Sequence, residues 1–174
     1  PDSYSLEITV SLFWKEGSSD TVRRIWVKDG CTKVTRLSAD GNAQENTIIT
    51  KDRTYIWNDG NTQYYEGLNG SIYADDVLQI PTYENILNEN EAEIITASYE
   101  NRSGEPCVYV QVADNEYGGI RGYWVSLDSG LLVAAEVYEK DELVYRMTAS
   151  AYSSFAPEDL HFQLPNGYNV LLNG

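Results

Sequence analysis

The residues that could carry out chemistry in this chain are few, and they include a single histidine, His161. A Ser-His-Asp triad, a Cys-His pair or a histidine-rich metal centre would have to use that one residue. It lies between Leu160 and Phe162, in a short apolar stretch near the end of the sequence. The sequence therefore favours a structural or solvated histidine over a catalytic one.

Carboxylates are abundant. The chain has 27 acidic and 12 basic residues, which give a net charge of −15. Glu136 with Glu139, or Asp75 with Asp76, have the residue types of an acid/base couple or a calcium site. Adjacent acids are expected from composition alone in so acidic a chain, and nothing in the sequence makes two carboxyls converge. We interpret them as surface and helix-start residues, with a carboxylate hydrolase as the minor alternative.

Two cysteines, Cys31 and Cys107, are too few for a disulfide scaffold or a four-ligand zinc site. The sequence leaves their pairing open and favours two unrelated, half-buried thiols. The nearest approach to a phosphate-binding loop, Tyr117 to Gly119, lies in a predicted hairpin connection with no helix after it. No metal ion and no cofactor is predicted, and we expect that the chain is not an enzyme.

The charge also limits the partners, because a strongly acidic surface repels phosphate backbones and anionic lipid headgroups. Nucleic acid is therefore an unfavourable partner. No run approaches the roughly 18 apolar residues of a membrane-spanning helix. Pro1 in place of an initiator Met favours a trimmed chain, although a chain cut for expression would begin in the same way.

The clearest structural pattern is an alternation at the start of the sequence, from Tyr4 to Trp14. Side chains of a β-strand point alternately to opposite faces, so every second residue of this run lies on one face. That face is apolar, and its members are Tyr4, Leu6, Ile8, Val10, Leu12 and Trp14. The pattern predicts a long strand whose apolar side must be covered or must bind something.

Turn signals such as Asp29-Gly30 and Asp40-Gly41 divide the rest of the chain into short apolar or β-branched runs. Predicted strands follow at about residues 21–28, 32–38, 44–51, 53–57, 62–66, 94–100, 107–112, 122–127, 132–139 and 143–152. Short loops join most of these strands, so neighbours in sequence are expected to pair antiparallel. The 174 residues fit one domain, 1–174.

The pattern changes to short helices at residues 75–78 and 81–87, which we expect to cover the apolar side of the sheet. The predicted fold is mainly β with an α+β character. It is a curved antiparallel sheet of about ten or eleven strands forming an open half-barrel, with one or two short helices on its concave face. Tyr55 and Trp57 share one face of a predicted strand, which indicates either core packing or a ligand groove.

The layout of the whole chain resembles the bacterial lipoprotein-carrier fold, the family of LolA, LolB and the amino-terminal domain of RseB-type envelope sensors. The resemblance rests on the long first strand, on Arg24 to Lys28, on Tyr55 to Trp57 and on Tyr123 to Leu132. It also includes the closing run Phe162 to Tyr168, which is similar to the family's Phe-x-Leu-Pro-x-Gly ending. None of these runs is a catalytic signature.

The resemblance implies a domain outside the cytoplasm that accommodates an acyl chain, a lipoprotein or an apolar peptide against the concave face of its sheet. Gram-positive members of the family are often lipid-anchored, so the resemblance is also consistent with a lipoprotein signal that was removed. The family usually has a helix before the first long strand, and this chain begins almost at the strand, so either that helix was cut away or the cavity is less covered. A shallower cavity would favour an envelope sensor or protein-interaction module without lipid transport.

The main functional hypothesis is therefore a non-enzymatic, extracytoplasmic binding domain that buries an apolar group against its sheet. The alternative is an RseB-like module that binds a protein partner, by strand addition or peptide capture. The candidate ligand-binding residues are Leu6, Ile8, Val10, Leu12, Trp14, Tyr55 and Trp57.

Overall fold

The computed structural model describes residues 1–69, 86–89, 91–114 and 119–173, and most of them lie in eleven β-strands. The strands are Tyr4–Trp14 (β1), Gly17–Lys28 (β2), Cys31–Leu37 (β3), Ala43–Ile49 (β4), Arg53–Asn58 (β5), Tyr65–Leu68 (β6), Ile94–Arg102 (β7), Glu105–Asp114 (β8), Gly119–Ser126 (β9), Leu132–Glu139 (β10) and Glu142–Ser153 (β11). The other described elements are 3₁₀ turns at Glu91–Glu93 and Asp159–Phe162 and a short helix at Val170–Asn173.

The strands form one sheet in the order β6-β5-β4-β3-β2-β1-β11-β10-β9-β8-β7. It is antiparallel, and its two end strands, β6 and β7, have only one neighbour each, so the sheet does not close into a barrel. The predicted mainly-β, open antiparallel architecture is confirmed. The predicted helix at residues 75–78, and residues 81–85 of the second one, lie outside the described residues.

Local sequence explains why the strands begin and end where they do. The observed bounds of β1 and β10 coincide with the predicted runs, because alternation and turn residues mark both ends. At Asp29-Gly30 both residues have positive φ, 49° and 76°, as a tight type I′ hairpin requires. Lys140-Asp141 makes the same kind of turn, with φ of 49° and 68°, between β10 and β11.

Contacts divide the chain into two compact units. The first unit contains Pro1–Ile8, Thr21–Ile80 and Ala151–Gly174, and the second contains Thr9–Asp20 and Pro81–Ser150. The strands β1, β2 and β11 therefore each contribute residues to both units. The single domain expected from chain length stays a prediction.

Each unit has a core cluster of its own. The buried members in the first unit are Cys31, Ile48, Phe162, Leu164 and Val170. Those in the second unit are Cys107, Trp124 and Ala134. Both cysteines are free and buried, as the preferred interpretation of two unrelated thiols required. Burial raises the pKa of each thiol, and a nearby carboxylate raises it further, so neither is an activated nucleophile.

Candidate functional site

The apolar row of β1 changes from buried to exposed along the strand. Alternation places Leu6, Ile8, Val10, Leu12 and Trp14 on one side of β1. Ile8 and Val10 are buried, whereas Leu12 is 49% and Trp14 56% exposed. Large apolar side chains exposed side by side are characteristic of a surface that binds an apolar group or a partner.

Tyr55 and Trp57 do not share a face with the first residues of this row. The Arg24 side chain donates a hydrogen bond to Glu7 at 3.0 Å between Nε and Oε2, so both project from one face. From Arg24 the cross-strand register runs directly over β3 and β4 to Trp57 on β5. Leu6 and Ile8 flank Glu7 in sequence and therefore project from the opposite face.

The face that carries Tyr55 and Trp57 is covered by residues 159–172, which we call the C-terminal segment. Phe162, which is 0% exposed, and Leu164 are buried in the same core cluster against which both aromatic rings pack. Asn166 at the far turn of the segment donates a hydrogen bond to the Tyr64 hydroxyl at 3.3 Å. These aromatic side chains are therefore part of the first unit's core, in agreement with the core-packing interpretation.

The closing Phe-x-Leu-Pro-x-Gly run has a structural explanation. Phe162 and Leu164 are two residues apart around the extended Gln163, so both side chains reach the sheet. The chain then turns, with the Gly167 N–H donating to the Leu164 carbonyl at 2.9 Å. Gly167 has a φ of 85°, a left-handed conformation that favours glycine. The motif thus fixes an apolar pair over the sheet and then reverses the chain.

His161 also has a structural place, as the sequence favoured. Its ring stacks on Trp26, with centroids 4.7 Å apart and planes 19° from parallel. The Lys33 ammonium lies 5.7 Å from the centroid of the same Trp26 ring and 5.5 Å from that of the Trp57 ring. Burial, and then the nearby Lys33 charge, lower the pKa of His161, and Glu158 opposes them. The neutral imidazole is therefore the form favoured where the C-terminal segment packs on Trp26.

A pH dependence follows from the lowered pKa of His161. The folded protein disfavours the protonated ring, so the stabilising contribution is complete above the unfolded pKa of about 6.5 and declines below it. We expect the free energy of unfolding to fall more between pH 7 and pH 5 in the parent chain than in a His161→Phe variant. Urea unfolding of both proteins at the two pH values measures this difference, and equal falls would contradict the prediction.

The second unit contains a charged cluster around Glu136. The predicted surface position is wrong for this residue, whose carboxylate is buried, whereas Glu139 is exposed. Arg102 donates to Glu136 Oε1 at 2.8 Å, Arg146 donates to the same oxygen at 3.0 Å, and the Tyr138 hydroxyl donates to Oε2 at 2.9 Å. Burial raises the pKa of Glu136, but the hydrogen bonds from Arg102, Tyr138 and Arg146 outweigh it and leave the pKa lowered. An acid catalyst needs the opposite shift, so this carboxylate is a structural group.

An indole ring connects this cluster to strand β7. The Arg102 guanidinium lies 4.1 Å from the centroid of the Trp124 ring, and Tyr109 stacks on that ring at 4.5 Å. The Trp124 Nε1–H donates to Glu100 Oε2 at 2.9 Å. Gly122 leaves room for Tyr109, since an added Cβ would lie 3.1 Å from that ring. The sequence showed these aromatic residues but not that they hold two charged side chains of β7.

The described residues contain no group of three or more His, Cys, Asp or Glu side chains that could hold a metal ion. Among the same residues there is no helix with the length and apolar character needed to cross a bilayer. What the described part of the second unit does contain is exposed apolar surface. Its exposed large apolar residues are Leu12, Trp14, Leu87, Ile94, Ile95, Tyr99 and Leu127.

No protein-family model and no curated protein matches this sequence. Solved structures do match. An uncharacterized conserved protein from Thermus thermophilus is 7% identical with a TM-score of 0.57, over 89% of this chain and 81% of that one. MucB, crystallised in complex with MucA(peri), is 17% identical with a TM-score of 0.54, over 92% of this chain and 53% of that one.

The match to MucB therefore extends over about half of the length of that protein. A LolA superfamily protein from Nitrosomonas europaea also matches, at 10% identity with a TM-score of 0.44, over 93% of this chain and 90% of that one. MucB is RseB-like, so the predicted resemblance to the lipoprotein-carrier and RseB-type fold is confirmed. Identities this low show the fold alone.

Proposed function

We propose, from this fold, that the chain is a non-enzymatic, extracytoplasmic binding domain that holds an acyl chain or other apolar group. The binding surface would be the part of β1 in the second unit where Leu12 and Trp14 are exposed. Ile8 and Val10 of the same row are buried, and Leu6 belongs to the first unit. Tyr55 and Trp57, from the original candidate set, are left out because the C-terminal segment packs over them.

The exposure of Leu12 and Trp14 is the observation that carries this proposal. Both belong to a row whose earlier members, Ile8 and Val10, are buried, so the apolar side of β1 ends in open surface. Covering such surface contributes about 25 cal/mol per Å² of apolar area removed from water. A flexible acyl chain suits a row of this kind because it needs no hydrogen-bond partners.

Replacing Trp14 with alanine tests the surface directly. Trp14 is 56% exposed, so its loss should leave folding intact and remove apolar contact area from the ligand. We expect the Trp14→Ala variant to bind a fluorescent fatty-acyl probe about tenfold more weakly than the parent chain. Probe fluorescence, titrated with each protein, measures the two affinities.

Trp57→Ala is the matched control. It also replaces a tryptophan with alanine, but at a position that the C-terminal segment covers. It should lower the free energy of unfolding and leave the affinity for the probe unchanged. The surface assignment is wrong if Trp57→Ala weakens binding as much as Trp14→Ala. A parent chain that does not bind the probe contradicts the acyl-binding proposal.

The second candidate function is an RseB-like sensor or protein-interaction module without lipid transport. The likeness to MucB favours it, because that protein was crystallised with another protein, MucA(peri). The two candidate functions predict different molecules bound to the protein when it is purified from its source. Acyl chains extracted with organic solvent from purified protein would support the first candidate, whereas a stoichiometric protein partner would support the second.

A further inference from the structure

Strand β7 forms one edge of the sheet and, at nine residues, is long for an edge strand. It ends the strand order, pairs only with β8, and has eight exposed residues among its nine. Edge strands are commonly short or carry lysine or proline, which prevent pairing with another chain. The other edge, β6, is only four residues long, whereas β7 contains neither lysine nor proline.

The backbone of β7 is regular where a new strand would pair. A register shift lies between Ile94 and Thr96, and from Thr96 to Arg102 every residue pairs in step with β8. Three large apolar side chains of β7 are exposed, Ile94 at 41%, Ile95 at 52% and Tyr99 at 82%. The edge therefore offers both ladder hydrogen bonds and side-chain contacts to an added strand.

The charges near β7 indicate which charge an added partner strand should carry. Glu91 and Glu93 precede β7, and the carboxylate of Glu100 is held in place by the Trp124 indole N–H. The one basic residue of the strand, Arg102, already pairs with the buried Glu136. Residues 91–102 carry three carboxylates and one arginine, so this edge is acidic by composition, and a second copy of this chain would bring like charges together.

We propose that β7 binds an extended, basic segment of a partner protein by strand addition. Lysine or arginine at alternate positions of the segment would lie near Glu100 of β7 and near Glu91 and Glu93 just before it, while apolar residues between them would contact Ile95 and Tyr99. The segment would become a twelfth strand of the sheet, beside β7. This binding mode is independent of the apolar group proposed above.

Three peptides labelled with a fluorophore test the proposal against the full chain. The first alternates lysine with valine over about eight residues, close to the length of β7, the second alternates glutamate with valine, and the third is the lysine peptide N-methylated at every second residue. Fluorescence anisotropy at low salt measures binding. We expect binding of the first peptide alone, since N-methylation keeps the charge but removes ladder N–H donors.

Tyr99→Lys is the variant that tests the location, and Tyr65→Lys, at the β6 edge, is its matched control. Both tyrosines are exposed, so neither change should disturb folding. We expect Tyr99→Lys to weaken binding of the lysine peptide about tenfold or more, and Tyr65→Lys to leave it unchanged. Equal effects of the two variants would overturn the assignment to β7.

Equal binding of the N-methylated peptide would show charge attraction without strand addition and would overturn the proposal. So would the absence of binding by the lysine peptide, or equal binding of the glutamate peptide. The acyl probe has no part in these titrations. The failure of strand addition and the failure of acyl binding are therefore separate outcomes.

Discussion

Replacing Phe162 with alanine is expected to lower the free energy of unfolding by about 3–5 kcal/mol, the usual cost of removing a fully buried phenylalanine. Phe162 is 0% exposed and packs with Ile48, Leu164 and Val170 in the core cluster of the first unit. Its loss leaves a cavity between the C-terminal segment and the sheet. Urea unfolding, followed by tryptophan fluorescence, measures the change.

Phe155→Ala is the control for this experiment. Phe155 belongs to the same unit but is 85% exposed, so its removal should change the free energy of unfolding by less than about 0.5 kcal/mol. If Phe162→Ala were as mild as Phe155→Ala, the C-terminal segment would not be a stabilising part of the first unit. A large loss of stability for Phe162→Ala and a small one for Phe155→Ala would show that the C-terminal segment is not a loosely attached tail.

Glu136→Gln is the second change with a large expected effect. The variant removes the negative charge that two arginines share, leaving the Arg102 and Arg146 guanidinium groups close together without a counter-charge. Breaking a buried ion pair in this way is strongly destabilising. Both arginines are partly solvated, so we expect a loss of about 3 kcal/mol. Urea unfolding at pH 7 measures it, with exposed Glu139→Gln on the same strand as the control.

The same variant has a characteristic pH dependence. Hydrogen bonds hold the pKa of Glu136 below its ordinary value, so its contribution to stability is present above the unfolded pKa of about 4.3. That contribution is lost as the pH falls through the lower, folded pKa. The parent chain and Glu136→Gln should therefore approach equal stability in acid. A difference that stays constant from pH 7 to pH 3 would contradict the ionic explanation.

Predictions for the β-strands succeeded because their signals are local. The alternation from Tyr4 to Trp14 needs only the two-residue period of a strand. Pairs such as Asp29-Gly30 tolerate positive φ wherever they occur, so turns, and with them the antiparallel order of neighbouring strands, could be predicted from short windows. The placement of His161 in an apolar, structural setting was also a local inference.

The candidate lining illustrates what local reasoning misses. Tyr55 and Trp57 share a face of β5, as their spacing predicted, but the sequence could not say which side of β1 corresponds to that face. The answer depends on register across three intervening strands, where a shift of one residue exchanges the two faces. The tertiary structure decided this: Leu6 and Ile8 project from the face of the sheet that does not carry Trp57.

By itself, the sequence determined an acidic, mainly-β chain of about ten or eleven strands, with antiparallel neighbours and a long apolar row on β1, because composition, period and turn residues act over a few positions. Only the tertiary structure decided that the C-terminal segment covers the aromatic face, that Glu136 joins two arginines, and that β7 is an open edge. Each of these depends on residues far apart in sequence, whose meeting is set by strand order and register and not by any local preference.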